Sequence, residues 1–230
     1  ARDLGRAISI KFAQEGAKVA VNYFDNPEDA AETLKLIQAA GSEGIIVQGD
    51  MTKATDVKNL FDKAIDALVN VVGGIVGRKL VTEQDETWYD FLMDVNMRSV
   101  FLCTREAVPY MSAGSTIVNF SSLAARDGGG PGASMYATAK GAVMTYTRAM
   151  AKELGPKGIR VNALAPGTIA TSFHDRFNTP ENRERLKATY ALRREGEAKE
   201  VADLVIYLSS EDSSYITGAN IDINGGSFFS

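Results

Sequence analysis

The chain has 230 residues, 45% apolar and 23% charged, which fits one globular domain and excludes a disordered tail, a fibre or a coiled coil. Its net charge of −4 argues against nucleic acid as the main partner, because affinity there comes from cations meeting phosphates. One Cys and one His argue against an internal disulfide and a His/Cys metal site, and the longest apolar run, 68–77, is too short to span a bilayer. The expectations are a cytoplasmic compartment, no metal and no membrane.

The predicted elements alternate along the chain. Leu4, Ala7, Ile8 and Phe12 stand at helical spacing and predict a helix over 4–15, stopped at Gly16. A strand over 18–23, a helix over 27–40 and a buried strand over 44–48 follow. Val57, Leu60, Phe61, Ala64 and Ile65 fit one helix face and predict a helix over 56–65. Next come a strand at 68–72, a long helix within 86–111, a strand at 116–120, a helix at 136–154 and a strand at 159–164. A polar region over 171–194 precedes a helix at 198–208 and a last strand at 220–223. Short apolar strands between helices predict a doubly wound, parallel α/β sheet with helices on both faces, Rossmann-like, in a single domain over 1–230.

Tyr136 and Lys140 stand four residues apart and share a helix face. A cation near a phenol lowers its pKa toward the range useful for proton transfer. From spacing alone the pair reads more simply as an exposed Tyr and a solvated Lys. The strand 116–120 ends in Ser121-Ser122, the strand 68–72 in Gly73-Gly74, and the strand 159–164 in Pro166-Gly167. Ligands of parallel sheets sit beyond such strand ends, so the turns could carry a cofactor, although each glycine also fits a simple turn.

Together these residues resemble the short-chain dehydrogenase/reductase family. The resemblance rests on Tyr136-x-x-x-Lys140, Ser122, Asn96 after Asp94-Val95, Asn70-Val71-Val72-Gly73, Asn162 to Gly167 and Asn224-Gly225-Gly226, in the family's order from end to end. It implies Tyr136 as proton donor to a carbonyl oxygen, Ser122 as the hydroxyl holding that oxygen, Lys140 as tuner of the tyrosine and binder of the nicotinamide ribose, and Asn96 as the holder of a relay water. It implies cofactor contacts at Arg2, Leu4, Asn22, Tyr23, Asp50, Met51, Asn70, Val72, Gly73, Pro166, Gly167, Ile169 and Thr171, with Tyr136 and Lys140. NADP(H) is the cofactor implied, since Tyr23 replaces the acidic residue of NAD-preferring members and Arg2 matches the 2′-phosphate binder. Asp25 is expected in an exposed turn.

Three residues depart from the family pattern: Asp3 stands where glycine is usual, Val71 where a second Asn is usual, and Asn224 where Asp is common. The resemblance further implies a strand of about 5–6 residues and half of a phosphate turn before Ala1. A second omitted segment is expected near Ile65-Asp66-Ala67, where the predicted helix meets the strand without a connection.

The predicted activity is carbonyl reduction or alcohol oxidation, in a homotetramer or homodimer. The polar region holds His174, Arg176, Arg183, Arg185, Arg193 and Arg194, with Arg78 and Lys79 elsewhere. It reads either as a solvated loop or as a lid attracting an acidic substrate, a keto sugar or keto acid. The alternatives are a 3-oxoacyl carrier-protein reductase and a non-catalytic NADP(H) sensor.

Overall fold

A computed structural model describes residues 2–61, 64–172 and 179–229. Helix α1 (Asp3–Gln14) leads into β1 (Val19–Tyr23), α2 (Pro27–Ala39), β2 (Gly44–Gln48) and a short α3 (Ala54–Lys58). Then come β3 (Ala67–Asn70), α4 (Glu86–Met93), a π-helical turn (Asp94–Arg98), α5 (Ser99–Ala107) and β4 (Thr116–Phe120). The chain continues through α6 (Ala124–Asp127), α7 (Ser134–Leu154), β5 (Arg160–Pro166), α8 (Pro180–Lys187), α9 (Ala198–Ser209) and β6 (Asn220–Ile223).

Every strand pair is parallel, as the apolar runs predict. The described strands form two ladders, β1–β2 and β3–β4–β5–β6, rather than one continuous sheet. All five residues of β4 are buried, and they alternate in direction. Ile117 joins Leu68, Leu102, Leu154 and Val161 on one face. Val118 and Phe120 join Ile8, Leu164, Val201, Val205 and Leu208 on the other. Helices α5 and α7 therefore cover one face, and α1 and α9 the other, which fixes all strand ends on one edge.

Three predicted elements differ. The helix expected over 56–65 ends at Lys58. Its apolar periodicity reports burial correctly, since Leu60, Phe61 and Ile65 reach the core. The backbone at Ile65 bonds elsewhere, however: its N–H donates to Tyr110 O (3.0 Å) and its carbonyl accepts from Ser115 Oγ (3.0 Å). The segment expected to be missing near Ile65-Asp66-Ala67 adjoins residues 62–63, which lie outside the described residues.

The long helix within 86–111 is broken by the π turn and closes in a 3₁₀ turn at Val108–Tyr110, where Pro109 lacks an N–H for the α ladder. The region expected to be an irregular polar loop contains α8. Thr179 caps it by accepting from Asn182 N–H at 3.2 Å, and Pro180 opens it. Being polar all round, α8 leaves no apolar periodicity to read. His174 and Arg176 lie outside the described residues.

Candidate active site

The edge formed by the ends of β3, β4 and β5 gathers the residues of the Tyr/Lys pattern. Helix α7 is fastened to the end of β4 twice: Lys140 Nζ donates to Phe120 O at 2.8 Å, and Ser121 Oγ donates to Lys140 O at 2.9 Å. Lys140 is 3% exposed, and this burial brings its ammonium pKa down to about 8. One turn earlier stands Tyr136, whose phenol feels the nearby Ser122 hydroxyl. Burial pushes this phenol above its ordinary range, and the Ser122 hydroxyl works in the opposite direction. The spacing argument expected Lys140 to lower it. In the structure desolvation is the largest influence on both groups, raising the phenol and lowering the ammonium.

Ser122 Oγ also accepts from Ala124 N–H (3.2 Å) at the start of α6, which orients the hydroxyl beside the strand end.

Asn96 is completely buried in the π turn. Its Nδ2 donates to Leu92 O and Gly74 O, both at 3.0 Å, and its Oδ1 accepts from Gly74 N–H at 2.9 Å. The π turn supplies this reach, since the wider turn rotates the side chain out of the regular helix ladder. With both amide protons used within the protein, the Asn96 side chain clamps the Gly73-Gly74 turn.

The cofactor-side expectations divide. Gly73 is exposed at φ +124°, and Gly167 lies so close to Asn224 that a Cβ would meet its Cβ at 2.8 Å. At both turns the room a Cβ would take is filled by protein, Asn96 and Lys140 at Gly73 and Asn224 at Gly167. Pro166 accepts Leu123 N–H through its carbonyl (2.9 Å), and Thr171 Oγ1 donates to Ile169 O (3.2 Å). Tyr23 is half-buried at the end of β1, Asp25 is exposed, and Arg2 precedes α1 with its side chain 57% exposed.

Other side chains expected at the cofactor are turned into the protein. Met51 and Ile169 are 4% exposed and belong to the core, and Leu4 and Val72 pack against it. Asn22 Nδ2 donates to Val47 O (3.2 Å) and Gly49 O (3.1 Å), joining β1 to the end of β2. Asn70 donates to Asn119 Oδ1 (2.8 Å), and Asn119 donates in turn to Thr147 Oγ1 (3.0 Å). Such polar side chains inside a sheet must be bonded, and this chain satisfies them. Asp50 is partly buried, which pushes its carboxyl upward, yet hydrogen bonds from Thr52 and the charge of Lys53 hold it below its ordinary value.

Asp3 departs from a bare phosphate turn. It has φ +49°, and its carboxylate accepts from Ser172 N–H (3.2 Å) and Ser172 Oγ (2.6 Å). Sequence reasoning missed this pairing, which spans almost the whole chain, and the Asn119–Thr147 bond. The second had a signal: a lone Asn inside the apolar run Thr116–Phe120.

A parallel α/β fold with Tyr, Lys and Ser at the strand ends defines a class of nucleotide-dependent oxidoreductases. Residues 1–227 match the model of a family described as enoyl-(acyl carrier protein) reductase. The chain is 37% identical to the uncharacterized oxidoreductase YgfF of Escherichia coli, covering 98% of this chain and 96% of that protein. It is 33% identical to the 3-oxoacyl-[acyl-carrier-protein] reductase FabG of Staphylococcus aureus, over 99% of this chain and 94% of that one. Among solved structures, the NADH-dependent reductase A1-R′ responsible for alginate metabolism superposes with a TM-score of 0.89 at 32% identity, covering 100% of this chain and 94% of that one. A short chain dehydrogenase from Burkholderia cenocepacia in complex with NADP gives 0.92 at 29%, covering 98% and 94%. The chain belongs to the short-chain dehydrogenase/reductase family and is an oxidoreductase of that fold. No helix among the described residues is long and apolar enough to cross a membrane.

Proposed function

We propose that this single-domain chain is an NADP(H)-dependent carbonyl reductase and alcohol dehydrogenase, acting on a polar or acidic keto sugar or keto acid. The observation that carries this reading is the convergence of Tyr136, Ser122, Lys140 and the Asn96-clamped Gly73 turn at one strand edge. A bound nicotinamide dinucleotide supplies the hydride. The chain's own residues handle the oxygen and its proton. Ser122 donates a hydrogen bond to the carbonyl oxygen and offsets the charge growing there. Tyr136, kept protonated at neutral pH by burial, delivers the proton to that oxygen in reduction and accepts it in oxidation. Lys140 Nζ, with one bond to Phe120 O, keeps further donors for the ribose hydroxyls.

Absence of a carboxylate at Tyr23, the exposed Arg2 and the NADP-bound structural neighbour favour NADP(H). The reductase tied to alginate metabolism supports a sugar-acid substrate, although that protein is NADH-dependent. Similarity to FabG supports the second reading, a 3-oxoacyl carrier-protein reductase. A sensor without activity would not need Tyr136, Ser122 and Lys140 together. Exposed Phe91, Phe101 and Tyr110 on the α4–α5 side support self-association, to a dimer or tetramer. A cytoplasmic setting goes with the free Cys103.

Following NADPH and NADH oxidation against keto sugar acids, keto acids, neutral keto sugars and acetoacetyl thioesters tests the reading. Turnover confined to the thioesters selects the second reading, and no turnover with any carbonyl rejects both.

A further inference from the structure

Residues 73–79 run from the floor of the site to its rim. The segment starts at Gly73, beside Lys140 Nζ and Asn96 Oδ1, and buried Ile75 anchors it. Val76 takes φ +58° and Gly77 N–H donates to Ile75 O at 2.6 Å, a three-residue turn that reverses the chain. A β-branched residue adopts that backbone only under constraint. The far end meets the glycine-rich connection that leads into α7. Lys79 N–H donates to Gly132 O (3.3 Å), and Gln84 Nε2 bridges Lys79 O (2.8 Å) and Ser134 Oγ (2.9 Å). Gly132 stands four residues before Tyr136. A Cβ there would lie 2.9 Å from Arg78 Cβ, so glycine makes room for the arginine.

Arg78 is held but not neutralised. Its Nη1 donates to Pro131 O at 3.0 Å, its side chain is exposed, and it forms no ion pair among the described residues. Three neighbouring or lid-region cations are engaged. Arg183 is paired with Glu195, Arg194 with Glu200 at 2.6 Å, and Lys79 lies over the Trp88 ring at 4.7 Å. A guanidinium has five N–H donors in a planar fork, and one is used here.

We propose that Arg78 binds the carboxylate of an acidic carbonyl substrate at the rim of the Ser122–Tyr136 site, pre-positioned by Pro131 and Gly132. This rests on the acidic-substrate reading above. It makes Arg78 a specificity residue and places an anion-binding group on the loop after β3, whereas Arg183 and Arg194 of the polar region are already paired.

The test compares kcat/KM for a keto sugar acid and for its neutral methyl ester, with NADPH, in wild type, Arg78→Gln and Arg78→Lys. A hydrogen bond to a charged group is worth about 1.5–3 kcal/mol, so the acid-to-ester ratio is expected to fall roughly 10- to 150-fold in Arg78→Gln, mainly through KM. Arg78→Lys is expected to fall between the two, since it keeps the charge and loses the fork. An unchanged ratio in Arg78→Gln, with wild type preferring the acid, overturns this assignment alone. A wild type without acid preference overturns the acidic-substrate reading with it. Weaker NADPH binding in Arg78→Gln at an unchanged ratio would move the guanidinium to the cofactor and overturn the assignment too.

Discussion

Gly73 approaches Asn96 so closely that a Cβ on it would lie 2.5 Å from Asn96 Oδ1, and 2.9 Å from Lys140 Nζ. The turn after β3, the π turn and helix α7 therefore meet at a point with no room for a methyl group. Gly73→Ala is expected to destabilise the fold by roughly 1–3 kcal/mol through overpacking, with added strain from φ +124°. Urea unfolding and NADPH titration measure it. An alanine variant with the wild-type midpoint and cofactor affinity would mean that Asn96 and Lys140 are not fixed where they stand.

Removing the phenolic hydroxyl leaves the ring of Tyr136 in place but deletes the group that faces the Ser122 hydroxyl. Tyr136→Phe should retain NADPH binding while turnover falls about 10²–10⁴-fold, the usual share of positioned acid–base catalysis. Because burial holds the phenol protonated through neutral pH, the wild-type oxidation rate should climb with rising pH while reduction declines. Turnover in Tyr136→Phe within threefold of wild type would remove Tyr136 as the proton carrier.

Lys140 makes stability depend on pH. Its ammonium ordinarily loses its proton near 10.5, and in the folded chain burial lowers this to about 8. Between those values the unfolded chain binds more protons than the folded one, so stability rises with pH. Below about 8 both states are protonated, and folding carries the full cost of a buried charge. The stability of wild type relative to Lys140→Met should grow by roughly 3 kcal/mol from pH 8 to pH 10.5, read by urea midpoints. Parallel pH curves for the two proteins would contradict a buried, titrating Lys140.

Arg2 precedes α1 with an exposed guanidinium, 3.9 Å from the Asp3 carboxylate. If it holds the 2′-phosphate, Arg2→Ala should reduce the NADPH-to-NADH ratio of kcat/KM by about 10- to 150-fold, the worth of one charged hydrogen bond. A wild type that prefers NADH, or an unaltered ratio in the variant, removes Arg2 as the selector.

Much of this protein is set by local pattern. The strands Gly44–Gln48 and Thr116–Phe120 are legible to the residue, because a short run with three apolar side chains between turn signals has few other uses. Tyr136, Lys140, Ser122 and Asn96 are legible as a spaced set, and the strand-end rule places them on one edge. Tertiary structure decided what spacing cannot carry. The helix at Ala54–Lys58 is shorter than its apolar periodicity, and the backbone of Ile65 is bonded instead to Tyr110 O and Ser115 Oγ, distant in sequence. Asn70 and Met51 face inward because one finds Asn119 and the other a core cavity that only packing creates. The protonation preferences of Tyr136 and Lys140 follow from desolvation, which depends on how much protein surrounds a group in space, and no spacing along the chain encodes that amount.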